Sequence, residues 1–287
     1  MVGAWQPSAG AQQISIWPGE APDPVTNPRP ESVGPPAGRD WWPRVNDVSR
    51  PTMTIYAPHG HNAHAAIVVF PGGGFEFLAM DLEGTEICDW LTSRGITCIL
   101  SKYRVPDSNH HWDESCHCSV TPRIPRALQD AQRTIRLVRQ RAADLDVDPN
   151  RIGVIGFSAG GYLVAQTSNI FAPTYTPVDA ADSVSSRPDF AIALYPGHLC
   201  RAGGVLDPGL HVTHQTPPTF LVQAWDDPVD DVCNSTLYAR ALDAAGVPAE
   251  VHLFAKGGHA FALRHPEQRI AIWSTLVEGW LRERGVL

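Results

Sequence analysis

Residues 151–170 constrain the fold more than any other stretch of the chain. Arg151-Ile152-Gly153-Val154-Ile155 is a short, mostly apolar run that reads as a buried strand. Gly156-Phe157-Ser158-Ala159-Gly160 follows directly, and residues 159–170 are small, apolar and weakly helical in pattern. Strand, sharp turn and helix in that order is the setting in which a Gly-x-Ser-x-Gly segment lifts a serine above the edge of a sheet. A residue on so tight a turn takes strained backbone angles, and side chains two positions before and after it would collide. Gly156 and Gly160 remove those side chains. Ser158 is therefore the candidate nucleophile, and the backbone N–H of Ala159 faces the same point from a helix N-terminus. With 24 glycines in 287 residues such a match can arise by chance, so the reading depends on what stands at the ends of other strands.

Around this turn, apolar runs alternate with helical patterns. Strands are expected at 14–17, 52–56, 65–70, 97–103, 190–195, 219–224 and 250–254, and helices at 82–94, 237–245 and 270–282. A further helix carries Leu128, Ala131, Ile135, Val138 and Ala142 on one face; Arg126, Arg133, Arg136 and Arg139 lie largely off it and read as its solvated side rather than as a nucleic-acid surface. The alternation implies an α/β fold, a mostly parallel central sheet with helices on both faces. Residues 1–50, rich in Pro and Trp, read as an arm packed on a catalytic domain spanning 51–287.

Two other strand ends and one glycine-rich loop complete a constellation. Pro71-Gly72-Gly73-Gly74-Phe75 follows the 65–70 strand, and no Lys-Ser/Thr comes after it, which excludes a Walker A loop. It resembles the oxyanion-hole loop of lipases and esterases, so Gly73 and Gly74, with Ala159, are the expected N–H donors to a tetrahedral oxyanion. Asp227 lies just past the 219–224 strand and His259 just past the 250–254 strand. Functional groups collect at such carboxyl ends in parallel sheets. An activated serine needs a base, and the base needs a carboxylate to orient it, so His259 and Asp227 are the expected partners of Ser158. Asp226, Asp230 and Asp231 compete for the acid's role; Pro228-Val229 favours Asp227. Phe75 and Trp225, with Phe77, stand beside these loops as candidate platforms for a sugar face or an apolar acyl group.

The net charge of −8 disfavours a nucleic-acid partner and an anionic membrane. No run approaches the ~18 apolar residues of a membrane span, and the first residues show no signal peptide. Cys88 and Cys98 fall in an apolar helix and strand, where a reduced core thiol is the default. Cys116, Cys118, Cys200 and Cys233 fall in loops, and their pairing is open. His110, His111, Cys116, His117 and Cys118 form the one metal-like cluster, but they lack two separated Cys-x₂-Cys pairs, and no metal is expected.

Together, Pro71–Phe75, Asp148-Pro149-Asn150-Arg151-Ile152, Gly156–Gly161, Trp225-Asp226-Asp227-Pro228-Val229 and Lys256-Gly257-Gly258-His259-Ala260-Phe261 resemble the α/β-hydrolase esterases related to acetylxylan and other carbohydrate esterases. Pro71 stands where many lipases have His. The resemblance covers about residues 50 to 285 and implies a serine esterase without metal or organic cofactor, acting on short acyl groups such as acetyl on a sugar or xylan. Its members are often exported from bacteria, so the compartment is open between export and cytoplasm, as is the oligomeric state. The alternatives are a peptidase of the prolyl-oligopeptidase kind, which usually carries a gating domain this length leaves little room for, and a non-catalytic binding protein of the same fold. Loss of Ser158 or His259 would mark the second, and both are present.

Overall fold

The computed structural model of the chain describes residues 3–34, 42–107, 111–113, 118–120 and 123–287. Its apolar runs assemble into one eight-stranded sheet. The strands are β1 (Gln12–Ser15), β2 (Thr52–Tyr56), β3 (Ala66–Phe70), β4 (Thr97–Lys102), β5 (Ile152–Phe157), β6 (Phe190–Leu194), β7 (Thr219–Ala224) and β8 (Ala249–Phe254). They lie in the order β1-β2-β4-β3-β5-β6-β7-β8, with β1 and β2 antiparallel to their neighbours and the other pairs parallel. Strands β3, β5, β6 and β7 are buried along their whole length, as expected of parallel strands covered on both faces.

The flanking helices are α1 (Glu86–Ser93), α2 (Pro125–Gln140), α3 (Ala159–Asn169), α4 (Cys233–Ala244) and α5 (Trp273–Glu283). Trp273 of α5 meets Trp90 of α1 with ring centres 5.4 Å apart. Trp280 packs on Phe190 and Phe220 of the sheet. The helix expected at 82–94 begins instead as a π-helical turn, Asp81–Thr85, before α1. That wider turn carries Glu83 into the interior, where it is 2% exposed.

The first fifty residues contribute to this core. The expected strand at 14–17 is shifted to Gln12–Ser15, pairing with β2, and Ile16 and Trp17 become buried anchors. Trp17 Nε1 donates to Asp130 Oδ1 at 2.8 Å, and Asp130 Oδ2 accepts from both the backbone N–H and Nε of the buried Arg104. An indole N–H taken out of water needs such a partner.

Two expectations fail. Arg133 and Arg136 are not solvated but buried, and Arg139 is largely covered. The segment after α3 folds back over α2: Arg133 pairs with Asp179 and Asp182, Arg136 donates to Tyr175 Oη and the Val184 carbonyl, and Arg139 pairs with Asp189. Cys88 and Cys98 are joined by a disulfide rather than left as thiols, because the turn at Gly95 sets α1 back against β4 with the two Cα atoms 5.2 Å apart. Cys200 and Cys233 are also bonded, linking the segment after β6 to the start of α4. The side chains of His110, His111, Cys116, His117 and Cys118 lie outside the described residues. Among the described residues, no helix is long and apolar enough to cross a membrane.

Candidate active site

Ser158 stands between β5 and α3 with φ +52° and ψ −119°, a region that costs a non-glycine residue of the order of 1–3 kcal/mol. The surrounding backbone holds it there. A Cβ on Gly156 would lie 2.1 Å from the Gly160 carbonyl oxygen, and one on Gly160 would lie 2.0 Å from the Phe70 carbonyl oxygen. Both contacts are with backbone, which cannot swing away.

The loops after β7 and β8 bring two side chains to this serine. His259 Nε2 is 3.0 Å from Ser158 Oγ. His259 Nδ1 is 2.8 Å from Asp227 Oδ2 and 3.1 Å from Oδ1. The Asp227 side chain is fully buried, and its Oδ1 also accepts the backbone N–H groups of Val229 and Asp230 at 2.9 and 3.0 Å. A carboxylate only accepts, so the proton of the neutral imidazole belongs on Nδ1, which leaves Nε2 free to accept from the serine. Asp226 shapes the histidine loop instead: its Oδ1 accepts from the N–H groups of Gly257 and Gly258, both at 2.8 Å.

The glycine loop is held from behind. Tyr103 Oη donates to the Pro71 carbonyl at 2.5 Å, and the Gly72 N–H donates to Glu83 Oε2 at 2.7 Å. Gly72 is thus committed internally, and Gly73 and Gly74 remain the loop's candidates for the oxyanion, beside Ala159 at the first turn of α3. Glu83 Oε1 accepts from Tyr195 Oη at 2.9 Å, and the Tyr195 ring meets His259 edge-on with centres 5.0 Å apart. Burial raises the Glu83 carboxyl above its ordinary pKa, against the opposing Gly72 and Tyr195 hydrogen bonds.

Of the three aromatic candidates, Phe77 is half-buried against the Trp42 ring, and the other two separate. Trp225 is 61% exposed and presents a face to solvent. Phe75 is fully buried, packed among Tyr103, Tyr162 and His198. It supports the loop from within and offers no open platform, which corrects the expectation for that residue.

Asp230, passed over as the acid, is also in the site. Its Oδ2 accepts from Ser158 Oγ at 3.3 Å and lies 3.8 Å from His259 Nε2. Burial pushes its carboxyl up to about 6, partly offset by the His259 charge. Burial alone would lower the His259 pKa; the Asp227 hydrogen bond and the charges of Asp230, Asp227 and Glu83 outweigh it, and the net shift is upward. Glu83 and Tyr195 carry no motif that would draw attention to them, whereas Asp230 is visible in the sequence as one of four acids on the β7 loop.

The site can be compared with known proteins. The BD-FAE family model matches residues 53–171. The acetylxylan esterase of Xylanibacter ruminicola is 30% identical over 241 residues, which cover 76% of this chain and 45% of that protein. The chain thus spans less than half the length of the first curated relatives it matches. An acetyl ester-xyloside bifunctional hydrolase from Caldicellulosiruptor lactoaceticus superposes with a TM-score of 0.74 at 31% identity, covering 100% of this chain and 99% of that one. The propionate-bound esterase Est2 of Thermogutta terrifontis gives 0.67 at 26% identity, covering 83% and 91% of the two chains. The chain belongs to the esterases of the α/β-hydrolase superfamily.

Proposed function

We propose that this chain is a serine carboxylic ester hydrolase that works through an acyl-enzyme on short-chain esters, chiefly acetyl esters, with acetylated sugars or xylan as the substrate class. The observation that carries the reading is the unbroken hydrogen-bond chain from Asp227 through His259 to Ser158 on its strained turn. Ser158 Oγ attacks the ester carbonyl while its proton passes to His259 Nε2. The oxyanion faces the N–H groups of Gly73, Gly74 and Ala159. Collapse expels the alcohol, which takes the proton from His259. Water then attacks the acyl-enzyme by the same route, and the acid product leaves Ser158 as it began. Asp227 holds the imidazole tautomer and balances the charge on the imidazolium. Residues 51–287 form the catalytic domain, and the arm of residues 1–50 completes it. The acetyl and carbohydrate preference is supported by the names of the relatives from Xylanibacter ruminicola and Caldicellulosiruptor lactoaceticus.

The test is hydrolysis of p-nitrophenyl esters of increasing acyl length, and of acetylated xylan, by the wild type and by Ser158→Ala. Activity greatest on acetyl and abolished in the variant is expected. An intact rate in Ser158→Ala overturns the mechanism, and a maximum at long acyl chains overturns the substrate class.

A further inference from the structure

Ser158 Oγ has one proton and two acceptors within reach, His259 Nε2 at 3.0 Å and Asp230 Oδ2 at 3.3 Å. A bond to Asp230 is unproductive, because the proton must reach His259 for attack. The surroundings nevertheless build Asp230 into this position. Gln223 Nε2 donates to its carbonyl at 2.7 Å, and Ser235 Oγ fixes Gln223 at 2.5 Å. The Asp230 N–H is bound to Asp227. Opposite, Gly197 leaves the necessary space: a Cβ there would lie 2.6 Å from Asp230 Oδ1. The side chain is 14% exposed, enough for a ligand to reach it from the cleft.

The place of the carboxylate relative to the reacting atoms tells what it can bind. His259 Nε2 hands its proton to the leaving oxygen, which must therefore sit about 3 Å from that nitrogen. Asp230 Oδ2 is 3.8 Å from the same nitrogen. The carbonyl oxygen cannot lie on that side, since a carboxylate repels an oxyanion, so Asp230 faces the alcohol half of the ester. A hydroxyl on the carbon adjacent to the one that bears the ester oxygen can span the gap. We propose that Asp230 is a specificity-determining residue that accepts a hydrogen bond from a hydroxyl vicinal to the scissile ester, and so selects esters of polyols over those of simple alcohols. The bond also does kinetic work. A substrate hydroxyl that occupies Asp230 leaves His259 as the acceptor for the serine proton. The same carboxylate disfavours substrates with an anionic group beside the ester. This inference rests on the esterase reading above and adds the recognition of the alcohol to it.

The probe is a pair of esters of one shape, 2-hydroxyethyl acetate and n-propyl acetate, in which a hydroxyl replaces a methyl group. The wild type is expected to prefer the hydroxyl ester in kcat/KM by about tenfold to a hundredfold, the usual worth of a hydrogen bond to a charged group. In the isosteric Asp230→Leu the ratio falls to about one or below, since a buried polar hydroxyl now faces a methyl group. In Asp230→Asn, which preserves shape and polarity but not charge, it falls at least threefold; this variant carries the test if Asp230→Leu does not fold. Equal turnover of the two esters by the wild type, or an unchanged ratio in a folded Asp230 variant, overturns the proposal and leaves the esterase reading standing. Cleavage of neither ester by the wild type overturns both.

Discussion

Asp227→Asn is the substitution for which the structure dictates an outcome in most detail. The two carboxylate oxygens are not equivalent. Oδ1 receives the Val229 and Asp230 backbone N–H groups, while Oδ2 makes the shorter contact, 2.8 Å, with His259 Nδ1. In asparagine the carbonyl oxygen must take the place of Oδ1, because an amide NH₂ there would confront two N–H donors. The NH₂ then falls where Oδ2 was and donates to Nδ1. The imidazole must move its proton to Nε2, and a protonated Nε2 cannot accept from Ser158; it turns instead towards Asp230, 3.8 Å away. The loss should be on the order of 10⁴-fold in kcat, as for a triad with its tautomer inverted, with KM nearly unchanged. Steady-state hydrolysis of p-nitrophenyl acetate measures the rate, and nitrogen-15 shifts of His259 report the tautomer. Stability should fall by only about 1.5–3 kcal/mol, the worth of one charge-assisted hydrogen bond, since both backbone contacts survive. A kcat within tenfold of wild type, or an unchanged tautomer, would refute the reasoning.

The acid limb of kcat/KM should have its midpoint above 6.5, because the base must be neutral and its neighbours favour the imidazolium; Asp230→Asn, which deletes one of those charges, should move the limb to lower pH, and a limb that stays put counts against the assignment of His259 as base. Gly160→Ala places a methyl group 2.0 Å from the Phe70 carbonyl oxygen, so thermal denaturation should show a loss of at least about 1–3 kcal/mol from overpacking, together with a large drop in kcat as the adjoining glycine loop shifts. The double variant Cys200→Ser/Cys233→Ser opens a loop closed across 33 residues and should cost about 3–4 kcal/mol by denaturant titration; an unchanged midpoint would mean that the loop is held by its other contacts.

Ser158, Asp227 and His259 were legible because each follows a strand end, and parallel sheets gather such positions at one edge. The glycines were legible because steric exclusion leaves a mark in sequence. Depth was not. Phe75 follows the glycine loop as a surface aromatic would, yet its ring turns inward among Tyr103, Tyr162 and His198. The arginines of α2 obey the periodicity of a solvated face, and only the return of a distant segment carrying Asp179 and Asp182 reverses that. Periodicity reports which residues share a face, not what later covers it. Cys88 and Cys98 illustrate the same limit: each sits in an apolar element, and the helix–strand turn that joins them is a tertiary fact.

The Trp17 anchor sets an order of events during synthesis. Its indole N–H binds a carboxylate 113 residues further along the chain. At about 5–20 residues per second, roughly 6–23 s separate their emergence from the ribosome. Throughout that interval the first strand has a sheet edge to join only once β2 and β4 have formed, and its tryptophan has no buried seat. The beginning of this chain is therefore made early and fastened late, and a nascent chain halted before α2 should expose residues 3–17 to protease while the completed protein protects them.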